Sequence, residues 1–124
     1  GNQLVQIKKN TLAYKIYGDI SVERHRHRFE FNGILRKSME KVGLVCSGET
    51  EKDGLVEIIE LPESIHPWFI GVQFHPEFNS NPVKSHPLFI EFIRAGLVYS
   101  KINLEQRSVK DDNVLKGRHE ASKL

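Results

Sequence analysis

Apolar residues crowd most densely into Trp68-Phe69-Ile70-Gly71-Val72-Gln73-Phe74. Alternation puts Trp68, Ile70, Val72 and Phe74 on one face and Phe69 and Gly71 on the other, so neither face is dressed for water and the run predicts a central strand. Residues 4–9 and 12–17 alternate on either side of Asn10-Thr11 and predict two short strands able to form a hairpin. Leu44–Ser47 and Leu55–Leu61 predict two more, the second rich in β-branched side chains, with a polar turn at 48–54 between them. Helical spacing takes over twice. Asn32 can cap a helix reaching Val42, with Ile34, Leu35, Met39 and Val42 on one stripe and Gly43 placed to end it in a left-handed turn. Ser85 can cap a second helix with Pro87 in its first turn, whose stripe of Leu88, Phe89, Phe92, Ile93 and Leu97 is expected in the core. Residues 62–67 and 79–84 read as loops. Strands interleaved with helices predict an α/β fold over residues 1–103, and the charged pattern of 104–124 predicts a disordered tail.

Composition narrows the classes. A chain of 124 residues, 39% hydrophobic and 27% charged, is globular in make-up and allows one domain. Its net charge of +2 is concentrated partly in Arg24–Arg28, too short a cluster for a nucleic-acid footprint, so no nucleic-acid partner is expected. The longest apolar run falls well short of a bilayer span, so no membrane partner is expected either. A single cysteine, Cys46, excludes an internal disulfide and fits a reducing, cytoplasmic setting. The terminal Ser122-Lys123-Leu124 matches a peroxisomal address, but three residues are a weak signal and an accidental ending is the preferred reading. The chain begins Gly1-Asn2-Gln3, with neither methionine nor a signal peptide, and is expected to be a fragment.

Two stretches carry candidate chemistry. The apolar run ends in His75-Pro76-Glu77, which places an imidazole and a carboxylate at a strand end, where a histidine can serve as general base and a carboxylate can fix its tautomer. His-Pro recurs at positions 66 and 86, so the dipeptide alone marks only the start of a loop or helix. The second stretch, Val22-Glu23-Arg24-His25-Arg26-His27-Arg28-Phe29-Glu30-Phe31-Asn32, alternates. Read with a period of two, it sets Arg24, Arg26, Arg28 and Glu30 against His25, His27, Phe29 and Phe31. Guanidinium groups on one face suit a carboxylate. A metal held by His25 and His27 lacks a third ligand at a suggestive spacing, so no metal site is expected, and a solvated charged strand stands as the plain alternative.

These motifs together resemble the glutamine amidotransferase domain of the CTP synthase family. The resemblance rests on Glu23–Asn32, on Leu55-Val56-Glu57-Ile58-Ile59-Glu60, on His66-Pro67-Trp68-Phe69 running into Gly71–Phe78, and on Ser85-His86-Pro87-Leu88-Phe89. It implies that residues 1–103 are the C-terminal half of a class I amidotransferase domain, part of a flavodoxin-like sheet with flanking helices. It also implies an enzyme, a ligase of pyrimidine nucleotide biosynthesis that takes ammonia from glutamine to make CTP from UTP. His75 then matches the general base of a Cys-His-Glu triad, Glu77 its orienting carboxylate, and Arg28 the arginine that holds glutamine. The family's Gly-x-Cys-x-Gly nucleophile turn is not found in these residues, and Cys46, flanked by apolar residues, reads as a buried structural thiol. No cofactor is expected in this chain, ATP and magnesium belonging to the synthase domain. The expected partners are glutamine, the rest of the synthase chain and further copies of the full enzyme. The isolated chain is expected to be inactive. A non-catalytic glutamine-binding or regulatory module of the same ancestry is the alternative.

Overall fold

Asn10 adopts a left-handed turn, with φ of 61°, and the chain leaves it as a helix rather than a second strand. The computed structural model describes residues 1–123. Its first strand, β1 (Asn2–Ile7), is followed by α1 (Leu12–Tyr17), so the hairpin expected over 4–17 is not formed. Local chemistry favours the helix: the Thr11 hydroxyl accepts from the Tyr14 N–H at 3.1 Å. The buried Glu60 carboxylate accepts from the Leu12 and Ala13 N–H groups at 2.6 and 2.9 Å. Hydrogen bonds to a buried charge contribute about 1.5–3 kcal/mol each, enough to override the alternation of six residues.

Strand β2 (Ile20–Arg24) is shorter than the run expected from Val22 to Asn32, and α2 (Gly33–Lys41) follows it. As expected, the Asn32 side chain caps α2, accepting from the Ile34 N–H at 3.0 Å, and Gly43 takes up a positive φ of 103° beyond its end. Strands β3 (Val45–Thr50), β4 (Val56–Glu60) and β5 (Ile70–Val72) complete a five-stranded sheet in the order β2-β1-β3-β4-β5. Every pairing is antiparallel. Strand β5 therefore lies at an edge of the described sheet, not at its centre, and has only three residues. Its apolar faces reflect side-chain packing rather than two flanking strands. Ile70, Val72 and Phe74 do share one face, packing with Val5, Ile7, Ala13, Tyr14, Tyr17 and Ile58.

A short 3₁₀ helix, Pro76–Asn79, follows β5, and α3 runs from Pro87 to Ala121. The start of α3 is held not by Ser85 but by His86, whose carbonyl and Nδ1 accept from the N–H groups of Phe89 and Leu88. Residues 104–121, whose charged pattern suggested a tail, are helical here, in keeping with the high helix propensity of their Leu, Glu, Gln, Lys and Arg residues. Contacts divide the chain into a unit Gly1–Phe92 and a second unit from Ile93 onward. The apolar stripe of α3 that was expected in the core is largely exposed, Leu88 being the one buried residue of that helix, and α2 buries no residue. The terminal tripeptide ends at Leu124, outside the described residues.

Two features fix the unit Gly1–Phe92. Gly48, at the bulge where β3 meets β4, lies against Ile58, and a Cβ there would come within 2.7 Å of the isoleucine Cδ1 and Cγ1 atoms. Glu23, buried on β2, receives His86 Nε2 at 3.0 Å, the Ser21 hydroxyl at 2.7 Å and the Asn79 amide at 3.1 Å. Burial by itself would raise the Glu23 carboxyl, but the hydrogen bonds from His86, Ser21 and Asn79 prevail and hold it below the ordinary glutamate value.

Gly48→Ala is expected to destabilise the fold by about 1–3 kcal/mol in urea unfolding, because the clash falls on a branched side chain with no room to withdraw. Glu23→Gln is expected to lose about 1–3 kcal/mol at neutral pH. The unfolded glutamate takes its proton near 4.5 and the folded one only at lower pH, so this contribution is present above 4.5 and fades as pH falls through the folded value. Paired denaturation curves over that acidic range should therefore converge; a constant gap would contradict the assignment.

Candidate active site

His75 sits at the exit of β5 because the backbone is clamped on both sides. The Gln73 N–H donates to the Glu57 carbonyl at 2.9 Å, and the His75 N–H donates to the Arg24 carbonyl at 3.0 Å. Pro76 then starts the 3₁₀ helix, which turns Glu77 back towards the imidazole. His75 Nδ1 and Glu77 Oε1 are 2.7 Å apart. The histidine is partly exposed and the carboxylate more so, which leaves the pair open to solvent and to a reacting group. The hydrogen bond from His75 holds the Glu77 carboxyl below the usual range, keeping it an acceptor. With Nδ1–H given to Glu77, Nε2 carries the free lone pair. Phe78 stacks on the imidazole with ring centroids 5.1 Å apart, and the Arg24 guanidinium lies 5.9 Å from the Phe78 ring centre. The geometry fixes the ring's tautomer and leaves Nε2 able to accept a proton.

Arg28 lies in the irregular segment after β2 and is exposed. Among the described residues no hydrogen bond or ion pair joins it to His75 or Glu77. The structure thus brings together two of the three sequence-derived site residues and leaves the third facing solvent. The expected alternation holds from Arg24 to His27, with Arg24, Arg26 and Arg28 outward and His25 buried. It fails at Phe29, which is 88% exposed. Cys46 is buried on β3. Burial pushes its thiol up, with Glu40 and Glu49 adding to the rise and Arg36 opposing it, so the group is a thiol rather than a nucleophilic thiolate.

Sequence reasoning missed the partner of the histidines. Glu57, buried on β4, lies 2.8 Å from His25 Nε2 and 3.2 Å from His27 Nε2. Their ligand atoms fall within 4.8 Å of one another, the arrangement able to hold a metal ion. The legible signal was a glutamate in an otherwise apolar strand, where an unpaired charge is not tolerated. The Glu23–His86 pair was likewise invisible, its members being 63 residues apart.

Residues 1–95 match the sequence profile of the family described as glutamine amidotransferase class-I. Among solved structures, the chain is similar to the glutaminase domain of CTP synthase (CTPS) from Trypanosoma brucei, with acivicin bound. Sequence identity is 37% and the TM-score 0.70, over 77% of this chain and 38% of that one. The chain thus spans well under half the length of the solved domain it resembles. On the extent of these matches, together with the His75–Glu77 geometry at the end of β5, the chain belongs to the class I glutamine amidotransferase family.

Proposed function

We propose that this chain supplies the general base and orienting carboxylate for glutamine hydrolysis in a CTP synthase. The observation that carries this reading is the 2.7 Å contact between His75 Nδ1 and Glu77, which leaves Nε2 free. In the proposed step His75 Nε2 takes the proton of a cysteine thiol, the thiolate attacks the side-chain amide carbon of glutamine, and the imidazolium returns the proton to the departing ammonia. Water then releases glutamate from the thioester with His75 again acting as base. Glu77 stabilises the imidazolium, and Arg28, exposed and without an ion pair among the described residues, would orient the substrate carboxylate. The ammonia serves a synthase domain that aminates UTP with ATP and magnesium, in a cytoplasmic ligase assembled from several copies.

The only cysteine in these residues is the buried Cys46, so the nucleophile must come from outside the 124 residues. The non-catalytic module remains the second reading, favoured by that same burial. The chain by itself is expected to release no glutamate from glutamine, and Cys46→Ala to change nothing; turnover abolished by Cys46→Ala would overturn the reading. In the chain joined to its nucleophile-bearing segment, His75→Ala should lower kcat on the order of 10²–10⁴-fold. Arg28→Ala should instead raise KM for glutamine by about tenfold or more with a smaller effect on kcat. Calorimetric binding of glutamine with no turnover in that joined form would favour the module.

A further inference from the structure

The Glu57 carboxylate is fully enclosed, His25 is buried beside it, and His27 closes the group from the solvent side with about a fifth of its side chain exposed. Each imidazole is oriented by its other nitrogen. His25 Nδ1 is 3.0 Å from the Glu23 carbonyl oxygen, and His27 Nδ1 is 2.9 Å from that of Phe29. A carbonyl oxygen can only accept, so both Nδ1 atoms carry protons; the neutral rings then turn lone pairs towards the carboxylate, His27 Nε2 in hydrogen-bond geometry with Glu57 Oε1 at 3.2 Å and His25 Nε2 not. Two lone pairs aimed at an anion repel it unless something positive lies between.

A proton is a poor answer at His25. Although Nε2 and Glu57 Oε2 are only 2.8 Å apart, the pair lacks hydrogen-bond alignment, and both atoms are buried without a hydrogen-bond partner among the described residues. Protonating His25 would bury an unused N–H next to an unused carboxylate oxygen, each with its full desolvation penalty. A cation off the line joining the two atoms satisfies both. The separations, 2.8 Å from His25 Nε2 to Oε2 and 3.2 Å from His27 Nε2 to Oε1, are somewhat shorter than the roughly 3.3–3.5 Å between neighbouring ligands of a tetrahedral zinc ion with metal–ligand distances near 2.0–2.1 Å, so that a small outward shift of the rings would admit the ion. Backbone carbonyls on the outer ring nitrogens are the support that metal-binding histidines ordinarily have.

We infer that His25, His27 and Glu57 form a binding site for a divalent zinc-class cation, with the fourth position open on the solvent side of His27. Two imidazoles and one carboxylate suit zinc or cobalt better than magnesium or calcium, which prefer oxygen donors. The site would pin the segment after β2 to the middle of β4, and with it the arginines at 24, 26 and 28. It takes no part in the reaction proposed above and stands or falls separately from it.

The test uses the 124-residue chain without an affinity tag, stripped by a chelator and titrated with cobalt(II), followed by competition with zinc. One ion per chain should bind, with the visible absorption of low-symmetry four-coordinate cobalt, and zinc should displace it. X-ray absorption of the zinc-loaded chain should show two imidazoles in the coordination shell. Because Glu57→Gln or His25→Gln can disturb folding, the deciding variant is the more exposed His27→Gln, checked for retained secondary structure by circular dichroism. It should weaken binding by more than the roughly 10–100-fold cost of losing a supporting hydrogen bond, and His27→Cys should restore part of the affinity. His66→Gln and His119→Gln should leave it intact. No saturable binding, binding indifferent to His27→Gln, or binding lost with His75→Gln instead would overturn the inference.

Discussion

A carboxylate inside a protein must be matched, and β4 carries two of them. Glu57 and Glu60 are each at most 3% exposed, and their odd spacing sends them to opposite faces of the strand. Each is met by a different early segment of the chain. Glu60 gathers the first N–H groups of α1, and Glu57 gathers His25 and His27. The helix on one face and the arginine-bearing segment on the other are therefore positioned by the same five-residue strand. Removing the Glu60 charge would leave the Leu12 and Ala13 N–H groups unmatched, and removing that of Glu57 would take away the partner of His25 and His27, so the strand tolerates little substitution on either face.

That constraint also explains the arginine ladder. Beyond Arg24 a last backbone pair joins His25 to Gly1 and the ladder ends, yet residues 25–27 keep the in-and-out order of a strand. Inward histidines held on a buried carboxylate leave the intervening Arg26, and Arg28 beyond it, nowhere to go but outward. The ladder's exposed side is thus a by-product of its anchored side. A basic stretch that looked like a solvated face is ordered from beneath.

How much of this could be read in the chain depended on the range of the interactions. The cap of α2 by Asn32, the left-handed Gly43 and the meeting of His75 with Glu77 were legible because each is decided within three or four residues. Strand β1 and the shared face of Ile70, Val72 and Phe74 followed from alternation and β4 from its β-branched residues, whereas only Val45–Ser47 of β3 was expected and residues 48–50, read as turn, continue that strand. Residues 12–17 were misread because their alternation says nothing of Glu60, 48 residues away from Leu12, which decides in favour of a helix. The placement of β5 failed for a related reason: apolar faces report what packs above and below a strand, and not how many neighbours flank it. The stripe of α3 was read correctly as apolar and wrongly as buried, since periodicity identifies a face and not its cover.

His75 keeps a defined orientation in an open position. Its ring is not buried, so burial does little to set its chemistry; orientation must come from contacts. The backbone is held by the Arg24 carbonyl, one ring nitrogen by Glu77, and the ring plane by Phe78, which is itself partnered by Arg24. Arg24 therefore acts on His75 twice, through its carbonyl and through the aromatic ring between them, and Arg24 adjoins the segment anchored on Glu57. The carboxylate enclosed in β4 is linked in this way, through His25 and the end of β2, to the orientation of the His75 imidazole at the protein's surface. Precision at an exposed site is inherited from a charge that water never reaches.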